Sequence, residues 1–385
     1  MKTKLGPVIA LAAVITLVAS PAARSQAADS GSLAAQLDGV CAAAAAKDDR
    51  GSVTVGIISG GSLLWAKSYG NSDMDKKAPA TTDAVYRIGS ITKQFTALML
   101  LQLVHDGKVH FSDPVEKYFP EVNKVKGRVP GAPPITLIQL ATHTSGLARE
   151  PEHTDKYLKG PVSEWEKVLI AALDETGYAL EPGTQFSYSN IGYAILGAAL
   201  SRAAGQSYVE YVSARILKPL GMVDSAFEPN DRIRARIARG YVIDRNGIDQ
   251  ETPEREHQGR GYKVPNGAIY TTVADLAKFM IFELGGGPET VLDTKSLEQN
   301  FKRIITSGAE MQDGYGLGFQ LMRGHNDLVL LGHGGAVAGY QAGAFINRKS
   351  KTGVIILRNA LGPGDKFDTS QLMVNLFDKI AVAKN

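Results

Sequence analysis

The chain has 385 residues, of which 44% are hydrophobic and 21% charged, with a formal net charge of +3. That charge is spread along the chain without long basic runs, which speaks against nucleic acid as a partner. A single cysteine, Cys41, excludes an internal disulfide, and the seven histidines show no metal-ligand spacing, so no metal site is expected.

In chain order, Lys2 and Lys4 precede an apolar run at 8–19, and the small residues Ser25 and Ala27 stand just before Ala28. This is the pattern of a cleaved secretory leader, residues 1–27, whose apolar run is short for a bilayer span. It predicts secretion to a bacterial periplasm or the extracellular space, with no stable membrane anchor. No cysteine stands at the cleavage point to carry a lipid. The remainder, 28–385, is long enough for one large domain or two intimate ones.

Residues 33–47 predict an Ala-rich helix in which Cys41 is a small buried hydrophobe. Segments 52–59 and 63–68 are rich in β-formers around Gly60-Gly61 and predict a hairpin. From Ser90 to about Leu284 the apolar spacing is mostly helical, with examples at 137–142 and 209–217. Asn246-Gly247 predicts a small hairpin within this half. Strand-like segments return at 317–321, 328–331, 340–347 and 354–357, and 369–382 has helical spacing through Leu372, Leu376, Phe377 and Ile380. The expectation is an α/β chain in which one antiparallel sheet is built from both termini (about 31–85 and 285–385). A mostly helical part (about 86–284) is inserted between them, with a cleft between the two. Loops 148–164 and 244–262 are expected to line that cleft.

Ser90 and Lys93 form the only S-x-x-K, within GSITKQF at the start of an apolar helix. A helix start offers free N–H groups to developing negative charge. A lysine one turn on can reach the serine oxygen, and a serine needs such a neighbour to take its proton. As an isolated pair they read equally as a helix cap and a solvated charge. Two later stretches change that: FSYSN, with Tyr188 and Asn190 before another apolar helix, and LGHGGAV, with His333, Gly335 and Ala336 beside a strand.

With these motifs the chain resembles the class C β-lactamase-like serine hydrolases, a group of β-lactamases, D-alanyl-D-alanine carboxypeptidases, D-aminopeptidases and esterases. LATHTSGL (140–147), PGTQFSYSN (182–190), GAIYTTVADLAKF (267–279) and YGLGF (315–319) extend the resemblance across most of the chain. It implies a β-lactamase/penicillin-binding-protein-like fold and an acyl-enzyme on Ser90, with no cofactor required. Lys93 and Tyr188 would share the general-base work. Asn190 would orient Lys93 and bond the acyl side chain, and the N–H groups of Ser90 and Ala336 would form an oxyanion hole. His333 would support Tyr188 or bind a substrate carboxylate, and Gly335 would keep the strand edge clear for substrate.

Two look-alike motifs are set aside. Tyr69-Gly70-Asn71 precedes the nucleophile and is followed by no helix. Lys351-Thr352-Gly353 spells the family's third motif but falls on a charged hairpin tip, so His333-Gly334-Gly335 takes that place. Without the lysine, and with Ala360-Leu361-Gly362-Pro363-Gly364 where relatives carry polar groups, the implied substrates are esters or D-amino-acid peptides, with weak β-lactam turnover. The alternatives are a true class C β-lactamase and an inactive binding or sensor relative. An α/β-hydrolase esterase would want G-x-S-x-G, which is absent from the sequence.

Overall fold

The computed structural model describes residues 21–128, 131–302, 314–325 and 328–382. Residues 1–20 of the expected leader lie outside them. Seven strands form one sheet in the order Ala78–Pro79, Ser62–Asp73, Ser52–Ser59, Thr352–Arg358, Tyr340–Asn347, Val329–Val337 and Gln320–Arg323. Every neighbouring pair is antiparallel. The two ends of the chain meet at its centre, where Val55 pairs with Ile356.

The central strands read as continuous apolar runs because both of their faces are covered. Val53, Val55, Ile57, Val354 and Ile356 face the first and last helices, Pro21–Ala45 and Thr369–Val382, together with Leu37, Cys41, Leu372 and Leu376. Ile58, Ile355 and Leu357 turn the other way, into the main core shared with the helical half. Helix Val273–Ile281 lies on that face, and Gly56 makes room for it: a Cβ there would stand 2.5 Å from Val273 Cγ2. Asn359 caps the sheet centre from within. Its Oδ1 accepts from the Ser52 backbone N–H, and its Nδ2 donates to the carbonyls of Ser72 and Arg239.

Helix Thr92–His105 is buried along almost its whole length, consistent with a sequence apolar on every side. It packs against helix Asn190–Ala204 and the short helix Val264–Gly267. The strand carrying His333 is longer than the sequence pattern suggests. Glycines at 332, 334 and 335 hide the β signal, yet a Cβ on Gly332 would meet the Ala344 carbonyl at 2.0 Å. The HGG triplet therefore lies within strand Val329–Val337 rather than beside a strand. Among the described residues no helix is long and apolar enough to cross a membrane.

Candidate active site

Ser90 sits on a single 3-10 turn, Gly89–Ile91, that runs directly into helix Thr92–His105. The turn is wedged against the glycine-rich strand. Gly89 has φ +49°, and a Cβ on it would lie 2.7–2.9 Å from backbone atoms of Ala336. A Cβ on Gly335 would lie 2.0 Å from the Ile88 carbonyl. Gly335 does border the cleft, but its missing side chain makes room for the nucleophile turn. That corrects the expected role of clearing space for substrate.

Lys93 Nζ lies 3.1 Å from Ser90 Oγ and donates to Asn190 Oδ1 at 2.7 Å and to the Asn266 carbonyl at 3.4 Å. The lysine is fully buried. Burial holds its amine well below the usual lysine range; Glu150 opposes this, and Lys263, Arg149 and Arg260 reinforce it. Tyr188 hydrogen-bonds Ser90, and its ring centroid lies 4.8 Å from Lys93 Nζ. Its phenol is pushed above the ordinary tyrosine value, chiefly by burial. The two shifts favour a neutral amine beside a protonated phenol. The upward shift of Tyr188 runs against the phenolate form that a share of the base work would require.

Asn190 is brought against Lys93, whose Nζ donates to its Oδ1. Its Nδ2 donates to Glu150 at 2.7 Å, and its side chain is not part of the cleft wall. Glu150 also accepts from Lys263 Nζ at 2.8 Å and from the Tyr262 hydroxyl. A chain of contacts thus leads from Lys263 through Glu150, Asn190 and Lys93 to Ser90. Sequence reading missed Glu150, Lys263 and Asn266. Glu150 lies just after the stretch 140–147 and Lys263 and Asn266 just before 267–279, outside the family-like motifs and with nothing local to show which way each points.

The His333 ring lies beside Tyr188, with 6.2 Å between centroids, while its hydrogen bonds go elsewhere. Its Nδ1 donates to the Gly334 carbonyl and its Nε2 accepts from the Tyr315 hydroxyl at 3.1 Å. Burial is the main cause that pushes its pKa down to about 3, and any positive charge on Lys93 acts in the same direction. It is a neutral ring with both nitrogens engaged, so it does not supply a cation for a substrate carboxylate. His143, from LATHTSGL, holds Tyr188 in place. The Ser187 N–H donates to its carbonyl at 2.7 Å and the Ser189 N–H to its Nδ1 at 3.0 Å. Its ring centroid lies 4.2 Å from that of Tyr188. The backbone of His143 is left-handed, with φ 57°, a conformation that histidine tolerates better than β-branched residues do.

The cleft in front of Ser90 has a volume of about 400 Å³. Tyr188 and Phe186 form one wall and the HGG strand the other, with Gln320, Gln341 and Phe345 further along the sheet. The C-terminal helix adds Thr369, Ser370 and Met373, which the sequence did not suggest. Of the two loops expected here, 148–164 contributes only Arg149 among the described residues, and 244–262 contributes none. The latter instead supplies half-buried Glu256, which pairs with buried Arg260 and with buried Arg87, three residues before the nucleophile. Lys351-Thr352-Gly353 is remote. Asn347 pairs with Thr352 at the far end of the strand from Gln341, about 20 Å away at ~3.4 Å per residue. Tyr69 belongs to the outer layer, bonded to Asp38. Among the described residues no cluster could hold a metal ion.

The profile of the beta-lactamase family matches residues 37–375. Similar curated proteins include "Beta-lactamase-like protein 2" of Dictyostelium discoideum, 33% identical over 76% of this chain and 53% of its own length. "Protein flp" of Staphylococcus aureus (strain MRSA252) is 28% identical over 79% and 58%. The chain thus spans little more than half the length of these relatives. Among solved structures, the octameric penicillin-binding protein homologue from Pyrococcus abyssi is similar, with a TM-score of 0.76, 27% identity and coverage of 90% of this chain and 77% of that one. A D-amino acid amidase from Ochrobactrum anthropi shares the fold, with a TM-score of 0.75 at 23% identity over 92% of this chain and 100% of that one.

Proposed function

Because the chain belongs to the beta-lactamase family of serine hydrolases, we propose that Ser90 forms an acyl-enzyme with ester or amide substrates. The observation that carries this is the 3.1 Å contact between Ser90 Oγ and a buried lysine whose surroundings favour its neutral form. As Oγ bonds to the substrate carbonyl carbon, its proton passes to Lys93 Nζ. Tyr188 gives its proton to the leaving group as that bond breaks and regains one from Lys93. Water then attacks the acyl carbon, its proton passes to the Tyr188–Lys93 pair, and Ser90 Oγ leaves protonated.

The backbone N–H groups of Ser90 and Ala336 are the proposed oxyanion donors, each worth ~2.7–4 kcal/mol to the transition state. The close approach of Gly89 to Ala336 supports this pairing. Esters and D-amino-acid peptides are the proposed substrates, with slow release of β-lactams. In support, a neutral histidine stands where relatives use a lysine, and Asn359 and the Arg358–Asp365 ion pair are spent inside the fold. The test is Ser90→Ala beside the parent protein on p-nitrophenyl butyrate and nitrocefin. The parent should hydrolyse the ester steadily and cleave nitrocefin in a burst followed by a slow phase, and the variant should do neither. Fast nitrocefin turnover without a burst or esterase activity would instead mark a true β-lactamase.

A further inference from the structure

The acyl-transfer reading of Ser90 leaves open which substrates the cleft selects, and the distribution of charge around it bears on that choice. Among the described residues that border the cleft, Arg149 carries the only formal charge. Its guanidinium carbon stands 4.8 Å from the centroid of the Tyr188 ring. Among the described residues no hydrogen bond or ion pair holds that side chain, although its backbone is pinned: the Arg149 carbonyl accepts from the Asn190 N–H at 2.9 Å. The neighbouring carboxylate does not neutralise it, since Glu150 is spent on Asn190, Lys263 and Tyr262. The opposite wall offers only neutral amide and hydroxyl groups, and His333 has both nitrogens engaged. A guanidinium with five N–H donors and no hydrogen-bond partner among the described residues, fixed at its base on the wall that also holds Ser90, is matched to a planar anion.

We propose that Arg149 is the anion anchor of this cleft, and that the preferred substrates are esters or amides bearing a carboxylate. That carboxylate pairs with the guanidinium at the Tyr188 wall while the apolar part of the substrate runs toward Met322, Phe345 and Met373. This deepens the proposed function and rests on it. Because Arg149 is exposed, its attraction is screened, and the selectivity falls as salt rises.

The experiment compares kcat/KM for mono-p-nitrophenyl glutarate with that for p-nitrophenyl pentanoate, and for 3-carboxyphenyl butyrate with that for phenyl butyrate. The two pairs place the carboxylate on the acyl side and on the leaving side. In the parent protein at least one pair should favour the anion tenfold or more. That ratio should fall at least tenfold in Arg149→Met, survive largely in Arg149→Lys and invert in Arg149→Glu. Ratios near one in both pairs, or ratios indifferent to position 149, would overturn the anchor. Absence of hydrolysis in every arm would count against the acyl-transfer reading instead. The anchor is then read from calorimetric titration with 3-phenylpropanoate and 3-phenylpropanamide. Binding of the carboxylate alone, lost in Arg149→Met, supports it; equal binding or none overturns it.

Discussion

Lys93 lies in a balance of charges that can be tilted one residue at a time. Glu150 favours its protonated form, whereas Lys263, Arg149 and Arg260 oppose it; His143, His333, Tyr188 and Tyr193 also face it, the histidines neutral. If the neutral amine is the base, activity requires deprotonated Lys93 and falls on the acid side of its pKa. Glu150→Gln should therefore move the acid limb of the kcat/KM–pH profile to lower pH, and Lys263→Met should move it to higher pH. A merely structural role for the pair would lower activity without displacing the limb in opposite directions. For His333 the expectation is the absence of an inflection near pH ~6.5, the ordinary histidine value, because burial keeps this ring neutral down to about pH 3. His333→Ala should nonetheless cost at least tenfold in kcat/KM, about 1.4 kcal/mol of transition-state stabilisation, by releasing Tyr315 from its partner. Thr352→Ala, in the remote look-alike motif, should stay within about twofold of the parent. The reverse ranking of these two variants would restore the K-T-G as the working motif.

At the scale of elements, the active site is a joint between a turn and a strand, and glycines make the joint possible. Gly335→Ala must push its Cβ out of the Ile88 carbonyl, and Gly89→Ala must do the same against Ala336 while holding a left-handed φ. Steady-state kinetics on either variant should show kcat reduced at least tenfold, with the larger share of the loss in kcat. Unchanged kcat would mean that the turn tolerates being pried off the strand. The same joint shows what was legible in the sequence and what was not. The terminal strands meeting at Val55 and Ile356, the helix Thr369–Val382 and the S-x-x-K on a helix start could all be read from local patterns. Side-chain direction at long range could not. Asn190 turns its Nδ2 to Glu150 because the loop ending at Glu150 is pinned to the start of helix Asn190–Ala204, a contact across 40 residues. Thr369 and Ser370 enter the cleft only because the last helix covers the strand paired with the HGG segment. His333 looked like a titrating group because sequence shows a residue type but not its burial.

Taken as a whole, the molecule stores a pH dependence in its buried ionisable groups. His143, His257 and His333 all bind protons more weakly when folded: His257 is pushed down to about 4, His333 to about 3, and His143 well below its usual value, burial being the main cause in each. The unfolded chain takes up these protons first. Stability is therefore fully present above the unfolded histidine value of ~6.5 and is lost progressively as pH falls toward the folded values. Glu283, fully buried with its pKa raised to about 7, works in the opposite sense and loses stability as pH rises from its unfolded value. Calorimetric Tm should thus climb between pH 4.5 and 6.5, and Glu283→Gln should steepen the climb at its upper end. A flat profile in both proteins would show that these rings exchange protons with solvent in the native state. The central claim, that Ser90 is the nucleophile of an acyl-transfer site, is tested most directly by labelling. The protein is incubated with a fluorophosphonate, its intact mass measured and the adduct located by peptide mapping. One adduct is expected, on Ser90, formed more slowly by Lys93→Met and absent from Ser90→Ala. An adduct on another residue, or undiminished labelling of Ser90→Ala, would contradict the account.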